Sequence, residues 1–340
     1  KSSDEERVPF RVMSWNVENL FDTHHDTLKN DNEFLPDAIR HWNYTKYKKK
    51  LADIARVITA IGEWNPPALV GLCEVENDSV LRDLTQRSPL KELNYRYVMT
   101  NSPDLRGIDV ALLYQRDLFK LISFHSIPIP SFKQHRPTRD LLHVSGLLLT
   151  GDTLDVIVCH LPSRSGGAKE SEPYRLHAAR ILRTEADSLP QLIIMGDFND
   201  YPTNKSVKEI LEATMPPNEA TTSSGSPSST EPQPATTSPP PSKLCHLLAR
   251  KAMSRNFGSY KYHGEWGLLD HLIVSGTLLD TSSSFFTKES KANVARLPFL
   301  LTEDKKYGDD EPFRTYKGMK YQGGISDHLP IYADFELIVY

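Results

Sequence analysis

Several short stretches of this chain are almost wholly apolar, and polar or turn-forming residues bound each of them. Strands without a polar side are typical of sheets that are covered on both faces. The predicted strands span residues 10–17, 68–73, 109–114, 154–160, 192–195, 271–274 and 329–335. With helices between them, they predict a layered α/β sandwich, although the pattern alone does not separate it from a doubly wound sheet.

Three helices are predicted between these strands. The first is indicated by an apolar stripe at three- and four-residue spacing, formed by Leu51, Ile54, Ala55, Ile58 and Ile61. We expect Lys48, Lys49 and Lys50 on its outer face, and Pro66 and Pro67 to stop it. The second helix is predicted over residues 172–188 and the third over residues 206–213.

Charge and composition exclude some classes of protein. The formal net charge is −4, which argues against a dedicated nucleic-acid binder because such proteins are usually basic. A nuclease stays open, since bound metal cations can offset acidic side chains. No apolar run reaches the ~18 residues that cross a bilayer, so no transmembrane segment is expected. Cys73 and Cys159 lie in apolar runs and are expected to be small buried side chains.

Residues 214–242 differ from the rest of the chain. Of these 29 residues, 21 are Ser, Thr or Pro, and none is Leu, Ile, Val, Phe, Lys or Arg. Such a stretch cannot bury enough apolar surface to offset the entropy lost on ordering. We expect an exposed loop inserted within a single domain that spans residues 8–340. The reason is that sequence motifs of one predicted site, described below, lie on both sides of the loop.

The residues with reactive side chains recur at the ends of the apolar strands. They are Asn16, Glu74, His160, Asp197, Asn199, Asp270, Asp327 and His328. Strand ends are where ligand-binding residues gather in α/β folds, because the rigid sheet holds them in position. The carboxylates among them are ligands suited to Mg²⁺, Mn²⁺ or Ca²⁺, and the two histidines suit proton transfer or charge stabilisation. Together they favour hydrolysis of a phosphate ester.

The same residues fall in six ordered motifs: Ser14-Trp15-Asn16-Val17, Gly71-Leu72-Cys73-Glu74-Val75-Glu76, Val158-Cys159-His160-Leu161-Pro162-Ser163-Arg164, Gly196-Asp197-Phe198-Asn199-Asp200, Leu269-Asp270-His271 and Ser326-Asp327-His328-Leu329-Pro330. In this order they resemble the endonuclease/exonuclease/phosphatase superfamily, which shares the fold of pancreatic-type deoxyribonuclease. The resemblance covers nearly the whole chain. It implies a four-layer α/β fold of two packed mixed β-sheets flanked by helices.

The resemblance also implies roles for individual residues. Glu74 would be the principal metal ligand, and Asn16 beside it would contact the metal, the phosphate or Asp197. Asp197 would orient or deprotonate the attacking water, and Asn199 would stabilise the developing charge. The remaining implied roles concern four residues: His160 as a hydrogen-bond donor to phosphate, His328 held by Asp270 as an acid or stabiliser, and Asp327 as a further metal ligand or a support for Asp197. The general base is left open.

Three further residues are candidates for substrate binding. Arg164 follows His160 by four residues, and its fork-shaped guanidinium matches phosphate oxygens. Arg314 and Tyr316 lie in a stretch that interleaves aromatic and cationic residues before the Asp327-His328 motif, which suits stacking and phosphate contact. An ordinary solvated loop is the equal alternative for this stretch.

The family covers several substrates, so the resemblance does not name one. We expect a phosphodiesterase or nuclease, with nucleic acid as one possible substrate. A phosphatase or a lipid phosphodiesterase is the alternative, and a non-catalytic binding module is a third. Inositol-phosphate 5-phosphatases typically have an arginine where this chain has Tyr201, so that class is disfavoured. Similarity to bacterial exported members favours an exported protein over a cytoplasmic one, and a monomer is favoured.

Overall fold

A computed structural model describes residues 4–24, 35, 40–102, 104, 107–133, 137–219 and 243–340. Its α-helices are α1 (Tyr44–Gly62), α2 (Asp78–Arg87) and α3 (Ala168–Ala186). Its strands are β1 (Glu6–Leu20), β2 (Leu69–Val75), β3 (Arg96–Met99), β4 (Asp109–Tyr114), β5 (Lys120–Ile127), β6 (Leu141–Leu147), β7 (Thr153–His160), β8 (Leu192–Asp197), β9 (Leu244–His246), β10 (Tyr260–Tyr262), β11 (Glu265–Gly267), β12 (Asp270–Ser275), β13 (Phe285–Val294), β14 (Leu301–Glu303), β15 (Asp310–Pro312), β16 (Tyr316–Lys317), β17 (Lys320–Tyr321) and β18 (Ile331–Val339).

Two six-stranded mixed sheets form the centre of the fold. The first has the order β13-β18-β1-β2-β4-β3 and the second β5-β6-β7-β8-β12-β9. Each contains one parallel pair, β1 with β2 and β7 with β8, and its other pairs are antiparallel. The helices α1 and α3 connect the strands of the two parallel pairs, as a parallel crossover requires. The predicted α/β sandwich of two packed mixed sheets is confirmed.

The two parallel pairs face each other across the middle of the sandwich. A Cβ added at Gly71 on β2 would lie 2.8 Å from Met195 Sδ on β8, so the Met195 side chain packs directly on the glycine where the sheets face each other. Beside it, the Cys73 thiol donates a hydrogen bond of 3.5 Å to the carbonyl oxygen of Cys159. Both cysteines are fully buried, as predicted. This close contact brings the carboxyl ends of both parallel pairs together.

All seven predicted strands are present, and most extend beyond their predicted bounds. The strands β3, β5, β6, β9 and β13 were not predicted, nor were the short hairpins. Strand β5 illustrates why: it lies at a sheet edge, and most of its side chains are exposed or half-buried. An edge strand with polar residues has no apolar pattern that would distinguish it from a loop.

The helices agree less closely with prediction. The predicted apolar stripe of α1 is buried, and the Asn43 side chain accepts a hydrogen bond of 3.0 Å from Lys46 N at its start. The helix predicted over residues 206–213 is a single π-helical turn, Ser206–Ile210. The expectation that Lys50 faces outward was wrong, because this side chain is only 2% exposed. Its amine is enclosed by polar groups of β1 and of the segment before the Asp327 motif.

The Ser/Thr/Pro-rich stretch is described only at its start. Residues 214–219 are placed, and Thr214 forms a bridge with Cys245 beside the second sheet. The remainder of the predicted loop, residues 220–242, lies outside the described residues. Among the described helices, none is both long and apolar enough to cross a membrane.

A histidine joins α3 to the second sheet. His143 on β6 lies between Glu185 of α3, 2.7 Å from Nδ1, and Asp155 of β7, 2.8 Å from Nε2. The hydrogen bond to Asp155 raises the pKa of His143 more than burial lowers it, and Glu185 raises it further. Because the folded pKa lies above the unfolded value, this contribution to stability is fully present below about pH 6.5 and is lost as the pH rises through the folded pKa.

We therefore expect His143→Gln to lower the free energy of unfolding by about 1–3 kcal/mol near about pH 6, and by less at high pH. Urea unfolding of both proteins at about pH 6 and about pH 9 measures the difference. His263→Gln, at an exposed histidine between β10 and β11, is the control. An equal loss at both pH values would show that the imidazolium form has no special role.

Candidate active site

The predicted site residues meet where the two parallel pairs end. Asn16 lies on β1 and Glu74 on β2, and the two strands are in register at Asn16 and Cys73. His160 and Asp197 are register partners at the ends of β7 and β8. Since the carboxyl ends of both parallel pairs point to the same edge of the sandwich, all four side chains reach one buried floor.

One oxygen atom of Asp197 is the centre of this floor. Asn16 Nδ2 donates a 3.0 Å hydrogen bond to Asp197 Oδ2. The Nε2 atoms of His160 and His328 lie 3.4 Å and 3.6 Å from the same oxygen. Asp197 itself is 1% exposed. Burial alone would raise the pKa of Asp197, but the charge of His328 and the hydrogen bond from His160 outweigh burial, so this pKa is held below its usual range.

His328 is held as a cation. Its Nδ1 lies 2.7 Å from Asp270 Oδ2, which also accepts a 2.6 Å hydrogen bond from Ser259 Oγ. Burial lowers the pKa of His328, but the carboxylates of Asp270 and then Asp197 raise it well above the ordinary value. The predicted pairing of Asp270 with His328 is present. A histidine that stays charged is suited to stabilising negative charge more than to exchanging protons near neutral pH.

His160 has the opposite character. Burial lowers the pKa of His160, and the nearby Arg139 guanidinium lowers it further. Arg139 donates hydrogen bonds to the carbonyl oxygens of His160 and Leu161, at 3.2 Å and 2.7 Å. The site therefore contains one neutral and one charged imidazole around a single carboxylate.

Glu74 is the most accessible carboxylate of the floor. It accepts hydrogen bonds of 2.6 Å from Asn16 Nδ2 and 3.1 Å from Asn19 N. Possible ligand atoms of Glu74, His160 and Asp197 all lie within 4.8 Å of one another, and those of Asp197, Asp270 and His328 form a second such group. The first group fits a divalent cation, because its two carboxylates supply oxygen ligands and Glu74 lines the open cleft.

Two of the predicted metal ligands are placed differently. Asn16 directs its amide nitrogen to Glu74 and Asp197, and its Oδ1 accepts a 2.9 Å hydrogen bond from Glu18 N. This arrangement favours an orienting role over a ligand role. Asp327 belongs to neither ligand group among the described residues. It lines the cleft, and its Oδ2 accepts a 3.4 Å hydrogen bond from Arg314.

Asn199 and Arg164 lie on the other side of the cleft. Asn199 adopts a left-handed backbone conformation, and its Nδ2 donates a hydrogen bond of 2.8 Å to the Leu161 carbonyl oxygen. Its backbone nitrogen donates a hydrogen bond of 2.9 Å to Asp197 Oδ1. The Arg164 guanidinium lies 4.9 Å from the ring centre of Tyr201 and 3.5 Å from Asp200. Both predicted residues are therefore brought to the cleft.

The cleft above the floor has a volume of about 500 Å³. Tyr260 and Tyr262 form part of its wall, and the Tyr260 ring centre lies 5.0 Å from that of His328. Neither tyrosine was predicted, although their alternation just before the Leu269-Asp270-His271 motif is a signal that a strand presents both to one side. Ser259 and Arg139, which hold Asp270 and the His160 segment, lie in no motif and had no such signal.

The prediction that Tyr316 binds substrate was wrong. Its side chain is 4% exposed and packs on Trp42, with ring centres 6.1 Å apart. Its hydroxyl donates a hydrogen bond of 2.7 Å to the carbonyl oxygen of Arg40. Tyr316 is therefore a core residue, because the hairpin of β16 and β17 turns this aromatic inward. Arg314 reaches the cleft only through Asp327.

Comparisons with known proteins agree with this architecture. An endonuclease/exonuclease/phosphatase family protein from Bacteroides thetaiotaomicron superposes with a TM-score of 0.58 at 15% identity, covering 98% of this chain and 99% of that one. D. rerio TDP2 complexed with single strand DNA product superposes with a TM-score of 0.55 at 15% identity, covering 96% of this chain and 98% of that one. The mannosyl-6-phosphatase of Bacteroides thetaiotaomicron superposes with a TM-score of 0.56 at 15% identity, covering 97% of this chain and 100% of that one. At these identities the likeness shows the fold alone. No curated protein matches the sequence.

The sequence profile of the endonuclease/exonuclease/phosphatase family matches residues 11–224 and 228–337. These ranges include every strand end that contributes to the floor of the cleft. Members of this superfamily generally hydrolyse phosphoester bonds. The chain therefore belongs to the endonuclease/exonuclease/phosphatase family.

Proposed function

We propose that this protein is a divalent-metal-dependent phosphodiesterase that uses water as the nucleophile. The observation that carries the proposal is the convergence of Asn16, His160 and His328 on one oxygen of Asp197. A carboxylate held ionised in a buried floor, beside a charged imidazole and an open cleft, suits reactions in which a water attacks an anionic centre.

Glu74 would hold the cation, with Asp197 beside it. When bound, a divalent cation supplies charge for the phosphoryl oxygens and lowers the pKa of a coordinated water. Of the ions considered, Mg²⁺ and Mn²⁺ suit the two carboxylates best. Asn16 keeps the two carboxylates apart and oriented, since its amide nitrogen donates to both.

The remaining residues act on the substrate. Asp197 orients the attacking water, and its low pKa makes it a weak proton acceptor, which favours orientation over proton removal. His328 stabilises the charge that develops on the phosphoryl oxygens, because it is cationic before the reaction begins. His160, whose lowered pKa favours the neutral form, has one N–H, at Nε2 beside Asp197, which turns to a phosphoryl oxygen when substrate is bound. Asn199 supports the same charge.

The cleft favours a diester substrate with groups on both sides of the phosphate. A cleft of about 500 Å³ has room for a group on each side of a phosphate. Arg164 on its wall suits a second phosphate, as in a nucleic-acid strand. The similar D. rerio structure holds a single strand DNA product, whereas the Bacteroides mannosyl-6-phosphatase acts on a phosphorylated sugar. A phosphomonoester or lipid substrate is therefore the alternative that experiment must separate.

Removing the metal tests the reaction class. We expect a chelator to abolish hydrolysis of bis-p-nitrophenyl phosphate and Mg²⁺ or Mn²⁺ to restore it. Glu74→Gln should lower kcat at least ~100-fold, because it removes the charge that holds the cation. Glu92→Gln, at an exposed carboxylate, should match the wild type. Full turnover in the presence of chelator, or in Glu74→Gln, would contradict metal dependence, whereas no turnover with any of the metals would favour a binding module.

The role of His328 is tested by truncation. We expect His328→Ala to lower turnover at least ~100-fold, since it removes both the preorganised charge and a hydrogen-bond donor. Steady-state kinetics with the same diester give kcat and KM, and His125→Ala, on an exposed edge strand, serves as the control. The assignment fails if the folded His328→Ala protein turns over near the wild-type rate.

A substrate panel separates the diester from the monoester function. With Mg²⁺ present, we expect kcat/KM for a single-stranded oligonucleotide to exceed that for a nucleoside monophosphate, a sugar 6-phosphate or a lysophospholipid at least ~10-fold. Arg164→Ala should raise KM for the oligonucleotide more than for bis-p-nitrophenyl phosphate, because only the polymer has a second phosphate. Arg180→Ala, on the exposed side of α3, is the matched control. A preference for the sugar phosphate would replace this substrate assignment.

A further inference from the structure

Strand β1 contains an irregularity directly after Asn16. Its register with β2 shifts between Asn16 and Leu20, and both Glu18 and Asn19 have left-handed backbone conformations, with φ of 52° and 48°. Such conformations cost of order 1 kcal/mol or more for residues other than glycine, so surrounding contacts must hold them in place. Two successive residues of this kind beside the floor of the cleft suggest that the site uses the irregularity.

The irregularity turns two backbone N–H groups toward the metal side of the cleft. Glu18 N donates a hydrogen bond of 2.9 Å to Asn16 Oδ1, and Asn19 N donates one of 3.1 Å to Glu74 Oε1. These bonds fix the direction of the Asn16 amide and of the Glu74 carboxylate. A straight strand would not present both groups to these side chains.

The Glu18 side chain contacts the segment that follows Arg314, behind the cleft. It is 5% exposed, and its two carboxylate oxygens accept hydrogen bonds from Thr315 N at 3.1 Å and Tyr316 N at 3.0 Å. The preceding residue, Arg314, is the partner of Asp327 in the cleft. Glu18 therefore contacts Asn16 of the floor through its backbone and the segment beside Arg314 through its carboxylate.

Lys50 from α1 completes this cluster. Its amine donates hydrogen bonds to the Glu18 carbonyl oxygen and, at 2.8 Å, to Thr315 Oγ1. Thr315 Oγ1 is also within 3.2 Å of the Gly324 carbonyl oxygen, at the start of the segment that leads to Asp327. A buried amine is costly unless polar groups surround it, and here its hydrogen-bond partners lie on the two segments that Lys50 joins.

We propose that Glu18 and Lys50 are positioning residues. They hold the segment with Arg314, the partner of Asp327, at a fixed distance from Asn16 and Glu74 of the floor. The inference rests on the proposed metal-dependent function, because it assigns these residues to the geometry of that site. Neither residue touches the reacting atoms. Apolar side chains of similar volume would fill the same space with comparable stability, so stability alone does not account for a buried charge cluster here.

The test uses Lys50→Met, the near-isosteric Glu18→Gln and the double variant. Arg11→Met is the matched control, because Arg11 joins the same elements away from the cleft: it donates to the Ile61 carbonyl oxygen of α1 and to Asp334 of β18. Three quantities are measured well below the unfolding temperature: the Mn²⁺ dissociation constant by electron paramagnetic resonance without substrate, kcat and KM for bis-p-nitrophenyl phosphate, and the melting temperature.

For a positioning role we expect each single variant to weaken Mn²⁺ binding and lower kcat by about 10- to 100-fold. The double variant should recover at least about fivefold over Lys50→Met, because it no longer leaves a buried carboxylate without its counter-charge. Arg11→Met should lower the melting temperature while Mn²⁺ affinity and kcat stay within about twofold.

The positioning role is contradicted if folded Lys50→Met and Glu18→Gln match the wild type in Mn²⁺ affinity and kcat within about twofold and lose only stability, as Arg11→Met does. If Lys50→Met does not fold, Glu18→Gln alone decides. Failure of the proposed function is a separate result: a wild-type protein that binds Mn²⁺ yet hydrolyses no phosphoester overturns that function, while the Mn²⁺ affinities still decide whether Glu18 and Lys50 position the site.

Discussion

The buried carboxylate of Asp197 is the interaction on which the rest of the site depends. An ionised carboxylate without solvent is strongly unfavourable, and this one stays ionised because Asn16, His160 and His328 surround a single oxygen. Each of these three groups comes from a different part of the chain, so the charge requires both sheets to be in place. The fold and the site are stabilised together, and a catalytic floor with fixed charges needs little rearrangement during reaction.

The two sheets contribute to the site in similar ways. In each, a parallel pair joined by a helix ends at the cleft, with Asn16 and Glu74 from one and His160 and Asp197 from the other. Between them the Met195 side chain of β8 packs on Gly71 of β2. Antiparallel β12 begins opposite the end of β8, which brings Asp270 beside the same floor and so holds His328.

Prediction from the sequence succeeded for residues at the ends of apolar strands and failed elsewhere for a physical reason. A strand end is a local pattern, so Glu74, His160 and Asp197 could be assigned before their contacts were known. Lys50 and Tyr316 show the limit: each has an exposed lysine beside it in the chain, Lys49 and Lys317, and contacts with distant segments bury it. Ser259 likewise becomes important only where the chain returns to Asp270.

The sequence by itself determined the family and the polar residues at the strand ends, because the family motifs are short and local. The tertiary structure decided the state of each group. It made His328 cationic and His160 neutral, and it directed the Asn16 amide to two carboxylates. It also enclosed Glu18 and Lys50 between strand β1 and the segment that contains Thr315. Charge state and direction depend on burial and on neighbours far apart in the chain, and no local pattern of residues encodes either of them.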